Sequence, residues 1–153
     1  MFDLEGSDSP NEFVEVYNSG TDSVDLSFWQ ISDKFSTDEL VDGGMGTIIL
    51  PDRYALIMEG DYDEAAGIYL NLIPDSVLIV RVDDSSIGNG LSAADSLFIT
   101  DSSGTISDSL GWSDISAPGF SYERKRLDHP NTIANWATSL DSLGTPGFLN
   151  SVT

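Results

Sequence analysis

Cysteine is absent from the chain, and histidine occurs once, at position 129. The first absence excludes a disulfide framework, a cysteine nucleophile and thiolate-held zinc. The second excludes a cluster of imidazole ligands. Basic residues are scarce: six Lys and Arg stand against 26 Asp and Glu, for a formal net charge of −20 at pH 7. Nucleic acid is therefore not an expected partner, because phosphate binding draws on a clustered basic surface. An anionic membrane surface is disfavoured for the same reason. No apolar run reaches the roughly 18 residues of a membrane-spanning helix, so membrane insertion is not expected. The opening Met-Phe-Asp-Leu-Glu-Gly has neither the basic nor the apolar part of a signal peptide.

Helix formers are few as well. Ala, Glu, Lys, Arg and Gln number 22, against 44 Val, Ile, Thr, Phe, Trp and Tyr. That ratio favours strands, since branched and aromatic side chains fit a pleated surface and lose rotamer freedom in a helix. A length of 153 residues fits one domain with a core large enough to dispense with disulfides. The 22 Ser, 19 Asp, 14 Gly and six Pro fall in clusters between apolar runs and read as turns.

The strand pattern follows from those clusters. Residues 11–17 alternate, with Val14 and Val16 on one face and Phe13, Glu15 and Tyr17 on the other. Val24, Leu26 and Phe28 alternate next, and Trp29 and Ile31 take the opposite parity, which predicts a bulge or change of sheet near Phe28. Residues 33–46 read as a loop. Residues 47–50, 54–58 and 76–82 read as strands, the last covered on both faces. Helical character is expected only around residues 63–70. Residues 96–100 and 105–110 flank Asp101-Ser102-Ser103-Gly104 as a hairpin. Residues 121–124 and 136–140 complete the set. Eight or nine short, mostly antiparallel strands with turns at regular intervals predict an all-β sandwich. Residues 1–10 read as a polar lead, 11–150 as the domain and 151–153 as a tail.

Several motifs stand in order along the chain: Asn11-Glu12-Phe13-Val14-Glu15-Val16-Tyr17-Asn18, Val24-Asp25-Leu26 with Trp29, and Leu50-Pro51-Asp52-Arg53-Tyr54-Ala55-Leu56. Asp95-Ser96-Leu97-Phe98-Ile99-Thr100-Asp101 with Gly104, Gly119-Phe120-Ser121-Tyr122-Glu123-Arg124, Asn135-Trp136-Ala137 and Gly144-Thr145-Pro146-Gly147-Phe148-Leu149-Asn150 follow. Together they resemble the bacterial form of the lamin tail domain, an immunoglobulin-like module also found in nuclear lamins. Phe28 departs from the pattern, standing where the family has a glycine before the tryptophan. The resemblance implies a non-catalytic accessory module of a secreted or cell-surface protein, joined to other domains of a larger parent chain. It also implies protein binding, and for lamins DNA binding, which the charge here opposes.

Asp61, Asp63 and Glu64, with Asp83 and Asp84, are the acids best placed to hold Ca²⁺ through loop oxygens. An EF-hand is excluded, because Ala66 stands where glycine is needed and Leu72 where the last Glu belongs. Arg124 and Arg126 share a face of a strand and would dock an acidic partner, or Arg124 would pair internally with an acid such as Glu15. Asp108, between Ile106 and Leu110, is expected on an inward face. Trp112 is the tryptophan expected at the surface, where it would stack on a glycan; Trp29 and Trp136 are expected in the core. The function expected is a binding or scaffolding module presenting loops or a sheet edge to a protein or glycan. The alternatives are a calcium-stabilised spacer and a small hydrolase built on His129 or loop carboxylates.

Overall fold

The computed structural model describes all 153 residues. Eleven strands form: β1 Phe13–Tyr17, β2 Val24–Asp25, β3 Gln30–Ser32, β4 Thr37–Asp42, β5 Ile48–Ile49 and β6 Tyr54–Met58. The remainder are β7 Leu78–Val82, β8 Asp95–Thr100, β9 Ile106–Trp112, β10 Phe120–Arg124 and β11 Trp136–Ser142. The only helical element is a single 3₁₀ turn, Ile133–Asn135. Seven strands join one curled sheet in the order β1-β6-β7-β4-β3-β8-β9, and β10–β11 and β2–β5 form separate two-stranded ladders. This is the all-β, immunoglobulin-like sandwich that the sequence predicts. All pairings are antiparallel except β6 with β7.

Both faces of the large sheet bury side chains. The inner face carries Ile31, Leu40, Ala55, Ile57, Val80 and Val82, and Leu26 packs against it. The outer face carries Phe13, Leu56, Met58 and Ile79 beneath Tyr62 and Tyr69. This double cover explains why β6 and β7 read as continuous apolar runs. The first residues also take part, for Met1 and Leu4 are buried in the outer cluster. Phe2 packs on the other side, its ring stacked on Trp112 at 5.7 Å.

Two local readings are corrected. Residues 37–42, read as part of a loop, are strand β4. Its inward residues are Leu40 and Asp38, and the Asp38 carboxylate accepts the Gly88 N–H at 2.6 Å. An acid on the buried face hides the alternation. Residues 63–70 are not helical but a series of turns. Gly67 lies against the Tyr62 ring and the Asp63 carbonyl, where a Cβ would collide with both, so the chain hugs the buried tyrosine instead of winding around an axis.

The parity change near Phe28 is a turn that carries the chain from the β2–β5 ladder into the large sheet. The Trp29 N–H closes it on the Leu26 carbonyl at 3.1 Å. Phe28 sits there at φ 61° with 69% of its surface exposed. A left-handed backbone costs an L-residue about 1–2 kcal/mol, and little packing is lost on truncation. Glycine relieves that strain but adds roughly 0.5–1 kcal/mol of unfolded-state entropy. The expected result for Phe28→Gly is a melting temperature raised by a few degrees at most. A lowered one, measured by thermal denaturation, contradicts the reading.

Candidate functional site

The curled sheet ends in two edge strands, β1 and β9, and the β10–β11 hairpin lies across them. Between these elements is a cavity of about 440 Å³. Val14 and Val16 of β1, Leu110 and Trp112 of β9, and Ser121 to Arg124 of β10 all line it. Its wall is mostly apolar, with Glu15, Glu123, Asp108 and Arg124 as the charged groups.

The charged groups are held by distinct means. Glu123 is buried, yet its carboxylate accepts from the Ser121 hydroxyl at 3.0 Å, the Thr145 hydroxyl at 2.9 Å, and the Ser151 N–H and hydroxyl, both at 2.8 Å. Burial alone would raise its pKa, but these donors hold it below the usual carboxylate value. Gly144 serves this arrangement: at φ 76° it passes so close to Ser121 that a Cβ would strike the hydroxyl. Glu15 accepts only the Gly147 N–H, at 2.6 Å. Burial, reinforced by the Glu123 charge, pushes Glu15 up to about 7.

The structure gathers two of the sequence candidates at this cavity, Arg124 and Trp112, together with Asp108. Arg124 does not pair with Glu15. Its guanidinium donates to the carbonyls of Arg126, Leu127 and His129, the last at 2.6 Å, and reaches Asp108 at 4.0 Å. Asp108 is exposed, because β9 is an edge strand whose middle faces solvent. It also accepts from the Asn131 amide at 2.8 Å. Trp112 is half-buried, its Nε1–H bonded to the Ser92 carbonyl at 2.8 Å and one face covered by Phe2. That covered face is unavailable to a sugar. Trp136 donates to Asn131 at 2.8 Å and stacks on Tyr122 at 6.3 Å; Trp29 packs against the inner core. Both are half-buried rather than fully buried.

The other candidates lie away from the cavity. Arg126 is exposed and forks onto Asp128 at 3.1 and 2.8 Å. That hydrogen bond and the neighbouring His129 hold the Asp128 carboxyl well below the usual carboxylate range. His129 Nδ1 contacts Asp128 at 3.1 Å, and no serine hydroxyl hydrogen-bonds the ring. Glu64 is taken by Arg81 at 2.5 Å, and the Asp63 and Asp83 carboxylates accept the N–H groups of Ala65 and Glu39, each at 2.9 Å. Asp84 turns onto Ser85, and Asp61 is exposed. Nowhere do three or more ligating side chains converge as a metal site.

The sequence reading missed Glu12, Glu59 and Glu123 as buried carboxylates. For Glu12 the available signal was a Glu immediately before the apolar start of β1, where the chain enters the core.

Arg124→Ala would leave the Leu127 and His129 carbonyls without their donor, while the Arg126 carbonyl keeps the Asn135 amide at 2.7 Å. Water can reach these groups, so the expected loss is about 1–3 kcal/mol. Chymotrypsin cleavage after Leu127 should accelerate alongside a lowered melting temperature. An unchanged melting temperature and cleavage rate would refute the tethering role.

The family model of the Lamin Tail Domain matches residues 2–114 of the chain, from the N-terminal segment through β9. No curated protein and no solved structure matches it.

Proposed function

The chain belongs to the lamin tail domain family, and from that premise we propose that it is a non-catalytic binding module whose contact site is the cavity between β1, β9 and β10. The carrying observation is the cavity itself: about 440 Å³, mostly apolar, and bordered by two strand edges and the hairpin. That size and lining are typical of ligand sites. The partner class is protein or glycan, and the module serves a secreted or surface-attached parent by capturing that partner for neighbouring domains. The covered face of Trp112 favours the protein.

Two experiments test the reading. An uncharged apolar fluorescent probe, Nile red, should bind the folded domain at a single site, and Val16→Trp should fill the cavity and abolish uptake without lowering the melting temperature. Probe uptake unchanged by Val16→Trp removes the cavity as the site. Deleting the domain from its parent gene should impair localisation or capture while sparing any neighbouring catalytic activity. A parent reading frame that encodes no export signal overturns the exported assignment.

A further inference from the structure

The edge of β1 carries backbone groups without partners. β1 pairs with β6 on one side only. Beyond its end, the Asn18 N–H bonds the Arg53 carbonyl and the Asp52 N–H bonds the Asn18 carbonyl. This fixes the parity: Val14 and Val16 face β6, whereas Phe13, Glu15 and Tyr17 turn their N–H and C=O groups outward. Phe13 is satisfied, since it donates to the Met1 carbonyl at 3.1 Å and accepts from the Met1 nitrogen at 2.8 Å. That reciprocal exchange is the hydrogen-bond pattern of an antiparallel ladder. The outward backbone groups of Glu15 and Tyr17 have no protein partner.

Side chains continue the pattern. Met1 buries on the face of Phe13, and Phe2 buries on the opposite face against the inner core. The chain therefore already lies against this edge as strand for one register position. Beyond that position, residues 13–17 border the cavity.

Charge decides what fits. Glu15 spends one carboxylate oxygen on Gly147, and the other has no protein partner. Glu123 stands across the cavity, and Arg124 is committed to three carbonyls and Asp108. The chain as a whole carries −20. A residue opposite Glu15 thus meets negative charge, whereas one opposite Val14 or Val16 meets apolar wall.

We propose that the free edge of β1 is a strand-acceptor site for an extended peptide of alternating basic and apolar residues, added antiparallel to β1 with its apolar side chains in the cavity. This rests on the binding-module reading and names its ligand class. Main-chain bonds supply affinity, and the alternate side-chain environments supply selectivity.

Amide hydrogen exchange on the full 153-residue chain tests it, with an end-blocked Val–Lys alternating hexapeptide as probe. In the free chain the Glu15 and Tyr17 amides should exchange much faster than those of Val14 and Val16. Peptide at about 1 mM should slow Glu15 and Tyr17 about tenfold or more. A Val–Glu peptide, or the Val–Lys peptide N-methylated at its pairing residues, should not. Slow exchange at Glu15 and Tyr17 in the free chain, no protection by Val–Lys, or equal protection by Val–Glu each overturns the proposal. Protection that rises with protein concentration alone assigns the edge to a second copy and overturns it too. If the peptide fails while Val16→Trp still abolishes probe uptake, the strand-acceptor inference falls and the binding-module reading stands.

Discussion

Lowering the pH from about 8 towards about 5 should raise the stability of this protein, and Glu12→Gln should reduce the effect markedly. Two carboxyls meet in the interior. Glu12 is 3% exposed and Glu59 is fully buried. The Glu12 N–H bonds Glu59 at 2.8 Å, the Leu91 N–H bonds Glu12 at 3.2 Å, and no cationic side chain pairs with either carboxyl. Glu59 Oε1 has no partner at all. Burial, reinforced by the Glu59 charge, pushes Glu12 up to about 8, and burial raises Glu59 as well.

The sign follows from proton counting. Between the ordinary value of 4.5 and about 8, the folded state holds a proton on Glu12 that the unfolded state has released. Stability therefore falls as pH rises through that window and is fully present below it. Glu15, pushed up to about 7, acts in the same direction. The buried Met1 ammonium, pushed down by burial to about 6, acts in the opposite one, so the comparison between variant and wild type is the clean measurement. Glutamine keeps the acceptor for Leu91 and removes the titration. At roughly 1.4 kcal/mol per pKa unit, Glu12→Gln should gain about 2–4 kcal/mol over wild type near pH 8 and little near pH 5. Chemical denaturation at the two pH values reads this directly. A variant less stable than wild type at pH 8 would mean that Glu12 is charged in the fold.

Glu123→Ala should cost about 3 kcal/mol, by the loss of several charge-assisted bonds at one buried carboxylate. Ser121, Thr145 and Ser151 all donate to it, so β10 and the C-terminal segment lose their common anchor. Damage should be local: amide spectra of residues 119–151 should broaden while those of β6 and β7 stay sharp. Uniform loss across the large sheet would show that the hairpin is integral to the core rather than clasped to it. Glu123→Gln, which keeps an acceptor oxygen, should lie between the two.

How legible the fold was depends on the residue type turned inward. β1 and the β8–β9 hairpin were readable because apolar and polar residues alternate there, and Gly104 closes the turn at φ 86° with its N–H on the Asp101 carbonyl at 2.9 Å. β6 and β7 were readable as uninterrupted apolar runs. β4 was not, because Asp38 is buried and satisfied by a distant Gly88 N–H, a contact 50 residues away that no local pattern records. Asp108 was placed on the wrong face because Ile106, its apolar neighbour in phase, is itself 58% exposed. The site was legible only in its parts. Arg124 and Trp112 could be singled out, but their meeting across a cavity is set by how β9 and β10 are placed, which spacing along the chain does not encode.

The parallel pairing of β6 with β7 also has a kinetic consequence. Parallel neighbours cannot be joined by a tight turn, so the middle of the large sheet closes only after residues 59–77 have looped back. β1 with β6 and β4 with β7 are likewise remote partners. Chain-closure entropy must be met before any of these contacts reward it, which places such topologies at the slow end of single-domain folding, in the range of about milliseconds to seconds. Two large-sheet pairings have short turns, β3–β4 and β8–β9, and of these the β8–β9 hairpin is the longer ladder. It should therefore acquire protected amides first in pulse-labelled refolding, with the centre of the sheet, the most buried part of the finished protein, assembling last.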